Sequence, residues 1–227
     1  MEKFDLLTLG EVLLRLSPKE NKRIVRSTEF ESHVGGAELN VASGVSLLGL
    51  HTGIISKLPA NAIGELARSK VRSMNVSDDY LVYDDDKDAR LGVYYYENGA
   101  YPRKPRIVYD RKNTSINKLT VDDYDDKIYS DTRCFHTSGI TLALSPELRA
   151  TAVEMIKRFK AQGAIISFDV NFRGNLWTGA EAKECIESIL PYVDIFFCSE
   201  DTARLTFLKE GDAKSIMKSF TEEYPIS

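Results

Sequence analysis

The sequence predicts an α/β protein with a mostly parallel sheet, because short strand patterns alternate with helical patterns along most of the chain. Apolar runs that end at Gly or Pro are typical of strands buried on both faces. The segments between them carry apolar residues at helical spacing. This alternation favours βαβ units, and two stretches that interrupt it indicate a second, smaller sheet.

The order of the main elements follows from these patterns. The predicted strands are Phe4 to Leu9, Thr52 to Leu58, Thr132 to Thr137, Ala164 to Val170 and Ile195 to Cys198. The predicted helices are Ala37 to Leu48, Ala62 to Met74, Ser145 to Gln162, Gly179 to Leu190 and Ser199 to Leu208, with another around Ile216, Met217 and Phe220.

The helix at Ser145 has the clearest boundaries. Ser145 can cap it, Pro146 suits its first position and Gly163 can end it.

The two interruptions lie at about residues 12–34 and 81–112. The second contains Gly92 to Tyr96 and Arg106 to Tyr109, which resemble exposed or edge strands. Tyrosine offers apolar area with a polar tip, which suits a surface that closes over a polar ligand. Two interpretations stay open here: a lid, or an edge hairpin that merely caps the core.

Composition indicates one sizeable domain over residues 1–227 and a small-molecule partner. The chain has 227 residues, 43% of them hydrophobic and 28% charged, with a net charge of −4. No overall basic field exists to attract nucleic acid or an anionic membrane. No apolar run approaches the roughly 20 residues of a membrane span, and the first ten residues lack the pattern of a signal peptide. With an odd number of widely spaced cysteines, we expect a cytoplasmic protein with reduced thiols.

The segment with the most chemical content is the turn at Gly35 and Gly36. Paired glycines between a strand and a helix allow the backbone to approach a ligand closely and leave amide groups at the helix start free. Asn40, one turn later, can add a side-chain amide. By chemistry alone this signal is weak, because glycines also serve ordinary tight turns.

The whole run Gly35 to Ala42 resembles the first signature of the ribokinase-like, or PfkB, carbohydrate kinase family. The resemblance extends to Gly10-Glu11, Leu58 to Gly64, His136 to Ile140 and Asp169 to Arg173, each at the end of a predicted strand. It implies a three-layer α/β/α sheet whose strand ends hold a sugar under a small β lid. It also implies that the carboxy-terminal part of that fold is missing.

Within that family, Arg90 to Tyr94, Tyr109 to Arg111 and Asp169 to Arg173 are most similar to 2-keto-3-deoxygluconate kinases. That substrate is a sugar acid, and a guanidinium can bind a carboxylate through two parallel hydrogen bonds. The candidates for this contact are Arg111 and Arg173. The predicted substrate-binding residues are Gly35, Gly36, Asn40, Tyr94, Tyr109, Arg111 and Arg173, and Asn171 with Arg173 is predicted to lie towards the nucleotide.

The resemblance implies ATP and Mg²⁺ as cofactors, but the family's Gly-Ala-Gly-Asp segment is absent from the sequence. The catalytic Asp is therefore expected beyond Ser227, and no catalytic residue is assigned within the chain. Ser199 and Thr202 replace the Asn and Glu of a motif that many relatives use to organise magnesium, so no metal ligand is assigned either. We expect the chain alone to be inactive.

The leading hypothesis is ATP-dependent phosphorylation of 2-keto-3-deoxygluconate to its 6-phosphate by the complete protein. A fructokinase or another hexose kinase of the same family is an alternative, and so is a sugar-binding fragment without catalysis. A nicotinamide-dependent oxidoreductase is disfavoured because the dinucleotide fingerprint is missing. The family often dimerises through its lid, so a homodimer is also an expectation.

Overall fold

A computed structural model describes residues 3–226. Met1, Glu2 and Ser227 belong to the predicted domain 1–227 but lie outside the described residues. The strands are β1 (Phe4–Leu9), β2 (Leu13–Pro18), β3 (Phe30–Gly35), β4 (Thr52–Pro59), β5 (Leu81–Asp84), β6 (Gly92–Glu97), β7 (Arg106–Asp110), β8 (Thr132–Ser138), β9 (Ile165–Asp169) and β10 (Ile195–Phe197). The helices are α1 (Ala37–Leu47), α2 (Ala62–Ser73), α3 (Gly139–Ala143), α4 (Pro146–Ala161), α5 (Gly179–Ile189), α6 (Glu200–Phe207) and α7 (Ala213–Glu223).

The larger sheet has six parallel strands in the order β10-β9-β8-β1-β4-β5. Their carboxyl ends therefore meet at one edge of the sheet, where parallel α/β proteins bind ligands. The predicted α/β fold with a parallel sheet is confirmed. The five strands predicted for it all belong to this sheet.

Helix α4 covers one face of the sheet and forms much of the core there. The Ser145 hydroxyl accepts a hydrogen bond from the Leu148 amide at 3.1 Å, which caps the helix as predicted. Leu148, Ile156 and Phe159 form a buried stripe, and Phe159 stacks on Phe135 of β8 with ring centroids 4.2 Å apart. Burial of this stripe against the sheet fixes the helix on its strands.

The other face of the sheet is covered by α1 over β1, β4 and part of β8. Towards β10 an apolar hollow of about 360 Å³ lies between α1 and the strands, and Val41 and Val45 line it. Ile195 and Phe197 remain 37% and 55% exposed there. This half of the second face is an exposed apolar surface of the described chain.

The smaller sheet has the order β3-β2-β6-β7, in which β2 pairs with β3 antiparallel and with β6 parallel. Strands β2, β6 and β7 lie within the predicted intervals 12–34 and 81–112, and β3 extends one residue past the first interval, to Gly35. The second interval begins too early, because Leu81–Asp84 pairs with β4 in the larger sheet, with Leu81 opposite Ser56. Leu81 is buried in the core beneath α2, and four residues carry too short a pattern to assign a strand to one sheet.

The predicted free thiols agree with the structure, in which Cys134, Cys185 and Cys198 are unbridged and half-buried. Burial raises the pKa of the Cys134 thiol to about 11, so it stays protonated at neutral pH. Along residues 3–226, no helix has the length and apolar character needed to cross a membrane.

Candidate active site

The glycine turn lies where β3 passes into α1. Gly36 is the residue before the helix and offers no side-chain cap. A Cβ atom on Gly36 would lie 2.2 Å from the carbonyl oxygen of Glu11, so the close approach of two backbone segments requires glycine at this position. The first turn of α1 consequently reaches the carboxyl end of β1, and Gly36, Ala37 and Glu38 all face a cavity.

This cavity has a volume of about 410 Å³ and lies between the small sheet and the strand ends of the large sheet. Its size is in the range of small-molecule sites in proteins. It is lined by Glu11, Leu13, Arg15, Gly36, Ala37, Glu38, Asn40, Tyr94, Tyr96, Ile107, Tyr109, Arg111, Ile140, Asn171 and Arg173.

One face of the small sheet forms the lid side of the cavity. Alternate residues of β2, β6 and β7 line the cavity, as strand geometry requires. Arg15 pairs in register with Tyr94, and Tyr94 pairs with Tyr109, so these three side chains form a row across the sheet. The rings of Tyr94 and Tyr109 lie 5.7 Å apart between centroids. The lid therefore presents aromatic area, hydroxyl groups and a guanidinium to one small volume.

A buried ion pair joins the lid to the first strand. The Arg111 guanidinium donates to the carboxylate of Glu11, which is only 3% exposed, and the Thr114 hydroxyl donates to the other Glu11 oxygen at 3.0 Å. Burial raises the pKa of Glu11, while Arg111 and Thr114 act in the opposite direction. Gly92 leaves room for this carboxylate, because a Cβ there would lie 2.5 Å from it.

A second buried carboxyl, Glu38, fixes the start of α1 to the end of β8. It accepts hydrogen bonds from the hydroxyls of Ser138 at 2.5 Å and Thr141 at 2.8 Å. Burial raises the pKa of Glu38, and these hydroxyls lower it. A Cβ on Gly10 would overlap the Glu38 carboxyl, so Gly10 provides its space. Glu38 therefore holds together three segments that surround the cavity.

The segment after β9 carries the remaining polar groups. Asn171 has a left-handed backbone with φ of 36°, which Asn tolerates, and its amide donates to the Asp169 carboxylate at 3.0 Å. Burial raises the pKa of Asp169, whereas the Asn171 amide and the Arg173 charge lower it. Arg173 is exposed and donates to the carbonyl of Phe172 at 3.2 Å, so its charge faces the cavity and solvent.

The structure brings seven of the eight sequence-predicted site residues around one cavity. Gly35 is the exception: it ends β3 next to Gly36 and does not line the cavity. The residues in question are Gly36, Asn40, Tyr94, Tyr109, Arg111, Asn171 and Arg173.

Glu11, Tyr96 and Ile140 were predicted only as members of longer ligand-loop or lid segments, and Arg15 was not predicted; all four also line the cavity. The alternation of Leu13 and Arg15 along β2 was a signal that could have found Arg15.

The segment Ser199 to Thr202 has a structural role in the described chain. The Ser199 hydroxyl accepts from the Thr202 amide at 3.2 Å and caps α6, and Glu200 pairs with Arg204 at 2.8 Å. Across residues 3–226, no group of three or more His, Cys, Asp or Glu side chains is placed to hold a metal ion.

The fold and the cavity define the class of protein. A parallel α/β sheet, with a polar cavity at its strand ends and a second sheet over it, is the architecture of a small-molecule-binding protein. Three arginines line the cavity with two carboxyls, and burial favours the uncharged form of Glu38. The cavity therefore suits an anionic polar ligand.

Comparison with known proteins gives the family. The model of the pfkB family carbohydrate kinases matches residues 3–224, and the chain belongs to this family.

A 2-dehydro-3-deoxygalactonokinase of Haloferax volcanii is 36% identical over 220 residues, which are 97% of this chain and 68% of that protein. A crystal structure of 2-dehydro-3-deoxygluconokinase from Thermotoga maritima is 34% identical in sequence and superposes with a TM-score of 0.91. The match covers 97% of this chain and 69% of the Thermotoga maritima chain. A sugar kinase of Pyrococcus horikoshii, solved in complex with ATP, is 27% identical with a TM-score of 0.78. The match covers 89% of this chain and 66% of the Pyrococcus horikoshii chain.

Proposed function

We propose that this chain forms the sugar-binding part of an ATP-dependent kinase for a keto-deoxy sugar acid, such as 2-keto-3-deoxygluconate, with the 6-phosphate as product. The observation that carries the proposal is the arginine-lined cavity under a tyrosine lid in a chain of the pfkB family. Two of its relatives are named as kinases of 2-dehydro-3-deoxy sugar acids, which are the same class of compound under another name.

The groups around the cavity match the parts of such a substrate. Hydroxyl groups of a sugar chain are bound by side chains that both donate and accept, such as Tyr94, Tyr109 and Asn40. Arginines bind the carboxylate, and the resemblance to the family assigns this contact to Arg111 and Arg173. The lid reduces the access of water, which strengthens polar contacts within the cavity.

ATP is the phosphoryl donor in this proposal. Asn171 and the exposed Arg173 are the groups of this chain that suit a phosphate, because both present N–H donors and Arg173 adds a positive charge. When bound, ATP with Mg²⁺ supplies the phosphoryl group and neutralises its charge. Magnesium usually takes few protein ligands and keeps several waters, so we assign it no ligand within residues 3–226.

The base that removes the proton of the sugar hydroxyl is proposed to belong to a segment that aligns with the remaining third of the relatives. The chain spans 68% of the Haloferax volcanii relative and 62% of a Pyrococcus horikoshii sugar kinase. Binding groups without that base are expected to hold the sugar acid but not to transfer phosphate to it.

We also propose a cytoplasmic location and a homodimer formed through the lid. Strand β7 at the edge of the lid supports the homodimer, since Ile107 and Val108 are 46% and 42% exposed. An exposed edge strand is a common site of pairing between copies.

The function is tested by phosphoryl transfer with the protein isolated from its natural source, whose intact mass is measured in the same preparation. With ATP and Mg²⁺, turnover of 2-keto-3-deoxygluconate is expected to exceed turnover of fructose by at least tenfold. Faster turnover of fructose would favour a hexose kinase instead. Protection of the protein by sugar without any transfer would favour the sugar-binding fragment.

A further inference from the structure

The three arginines of the cavity differ in how far their charges are already paired. Arg111 forms an ion pair with Glu11, which is buried, so much of its charge is neutralised before any ligand binds. Arg173 is exposed to water and donates to a carbonyl of its own segment. Within residues 3–226, Arg15 has no carboxylate within 4.0 Å. Of the two lid arginines that line the cavity, Arg15 and Arg111, Arg15 is therefore the one whose charge is less compensated.

Arg15 is also held in place for a ligand. It lies on β2, an inner strand of the small sheet, in register with Tyr94. Its guanidinium lies over the ring of Tyr96, 5.9 Å from the centroid, which restricts the plane of the group. Its Nε atom is buried and has no hydrogen-bond partner among the described residues, whereas its two terminal nitrogens are not buried. The terminal nitrogens are therefore the donors that a ligand oxygen in the cavity can reach.

The Nε atom of Arg111 is likewise buried without a partner. One terminal nitrogen of Arg111 already donates to Glu11, however, so the fork of N–H donors on its guanidinium is only partly available to a second carboxylate. The contact with Glu11 joins Arg111 to β1 and favours a role in holding the lid in position. The unpaired fork of Arg15 is the better receptor for an additional carboxylate.

We infer that Arg15 is the principal receptor for the substrate carboxylate and determines the preference of this site for sugar acids over neutral sugars, with Arg111 positioned beside it by Glu11. This inference rests on the proposed function. It changes the assignment of the carboxylate contact from Arg111 and Arg173 to Arg15. It concerns only the lid side of the cavity, so it does not depend on the nucleotide or on the catalytic base.

The test compares two ligands that differ in one charge, 2-keto-3-deoxygluconate and its methyl ester, by isothermal titration calorimetry on the 227-residue chain. The variant is Arg15→Gln. The control is Arg26→Gln, which removes the same charge from an exposed position outside the cavity. Thermal unfolding of each variant without ligand reports whether the fold is retained.

We expect Arg15→Gln to weaken binding of the acid by about tenfold or more while leaving binding of the ester within about twofold, and Arg26→Gln to change neither. If Arg15→Gln unfolds, Arg15→Lys replaces it. We expect Arg15→Lys to weaken binding of the acid but not of the ester, because an ammonium cannot form two parallel hydrogen bonds with a carboxylate. Equal binding of the acid by wild type and either folded variant would overturn the inference and leave the proposed function intact. Failure of the wild-type chain to bind the acid would overturn both.

Discussion

At the scale of single residues, glycines and buried carboxyls set the shape of the cavity. Gly36 touches the backbone of Glu11, and Gly10 and Gly92 leave room for the carboxyls of Glu38 and Glu11. A side chain at any of these positions would displace a group that lines the cavity. The sequence pattern locates such glycines, but their partners are distant along the chain and appear only in the folded structure.

Gly36→Ala is expected to lower the free energy of unfolding by about 1–3 kcal/mol, because its Cβ has no room beside the Glu11 carbonyl. The matched control is Gly44→Ala within α1, where an added Cβ meets nothing within 4 Å. Alanine suits a helix interior better than glycine, so this control is expected to gain roughly 0.5–1 kcal/mol. Urea unfolding of the two variants measures both effects, and equal shifts would contradict the packing at Gly36.

Glu11→Gln removes the partner of a buried guanidinium and leaves the Arg111 charge uncompensated. Breaking a buried pair in this way costs about 3–5 kcal/mol. The control Glu31→Gln lies on the neighbouring strand β3, where the Glu31 side chain is 59% exposed, and is expected to stay within about 0.5 kcal/mol of wild type. Denaturant midpoints compare the variants; a Glu11→Gln midpoint as high as that of the control would show that the pair adds no stability.

At the scale of elements, β8 and β9 are joined by a buried histidine. His136 of β8 contacts the Ser167 hydroxyl of β9 at 2.9 Å, and burial lowers the pKa of His136 from 6.5 to about 4. The unfolded chain therefore binds this proton at a higher pH than the folded chain does. Stability contributed by His136 is present above pH 6.5 and is lost as the pH falls towards about 4.

The loss from this one group amounts to about 3 kcal/mol across that pH range. His136→Gln is expected to flatten the dependence of unfolding free energy on pH between 6.5 and 4 relative to wild type. His33→Gln is the control, because the His33 side chain is 49% exposed. Chemical unfolding at a series of pH values tests this, and an unchanged slope in His136→Gln would exclude the histidine as the cause.

The main elements could be predicted from the sequence, and their arrangement only in part. Apolar runs and the cap at Ser145 predicted strands and helices closely, because these signals are local. The second predicted interval began at residue 81 and so included Leu81–Asp84, a strand of four residues that pairs with β4; the partner of so short a strand is decided by tertiary contacts. The short helix Gly139–Ala143 gave no periodic signal of its own.

The site was predictable where a motif lies within one segment, as at Gly36, Asn40 and Asn171. It was not predictable where a contact spans the chain, as between Glu11 and Arg111, which are 100 positions apart. The cavity face of the lid depends on the register of Arg15, Tyr94 and Tyr109, which is set by strand pairing. Arg15 was missed because the alternation of Leu13 and Arg15 along β2 indicates a shared face of the strand, and only the strand pairing shows that this face lines the cavity.

At the scale of the whole molecule, the second face of the large sheet exposes apolar groups beside α1. Phe197 is 55% exposed and lies in an apolar hollow with Ile195 and Val45. Contiguous apolar surface of this kind favours contacts with other protein or with apolar dyes. About a third of the length of the Haloferax volcanii relative has no counterpart in this chain.

Phe197→Thr is expected to reduce the fluorescence of an apolar dye bound to the chain and to reduce its self-association. Threonine keeps the strand preference, and the exposed position makes a change in stability beyond about 0.5 kcal/mol unexpected. Leu205→Gln is the control, because Leu205 is 73% exposed on α6 outside the hollow. Dye fluorescence and size-exclusion chromatography compare the two variants. An equal reduction of dye fluorescence and self-association in both would show that the hollow is not the surface that binds the dye or a second copy.

The central claim is that the cavity beneath the lid is a site for a sugar acid. Isothermal titration calorimetry of the 227-residue chain with 2-keto-3-deoxygluconate and, separately, with fructose tests it most directly. The predicted result is saturable binding of the acid at one site, at least tenfold tighter than that of fructose. Equal binding of the two sugars, or no binding of the acid, would contradict the claim.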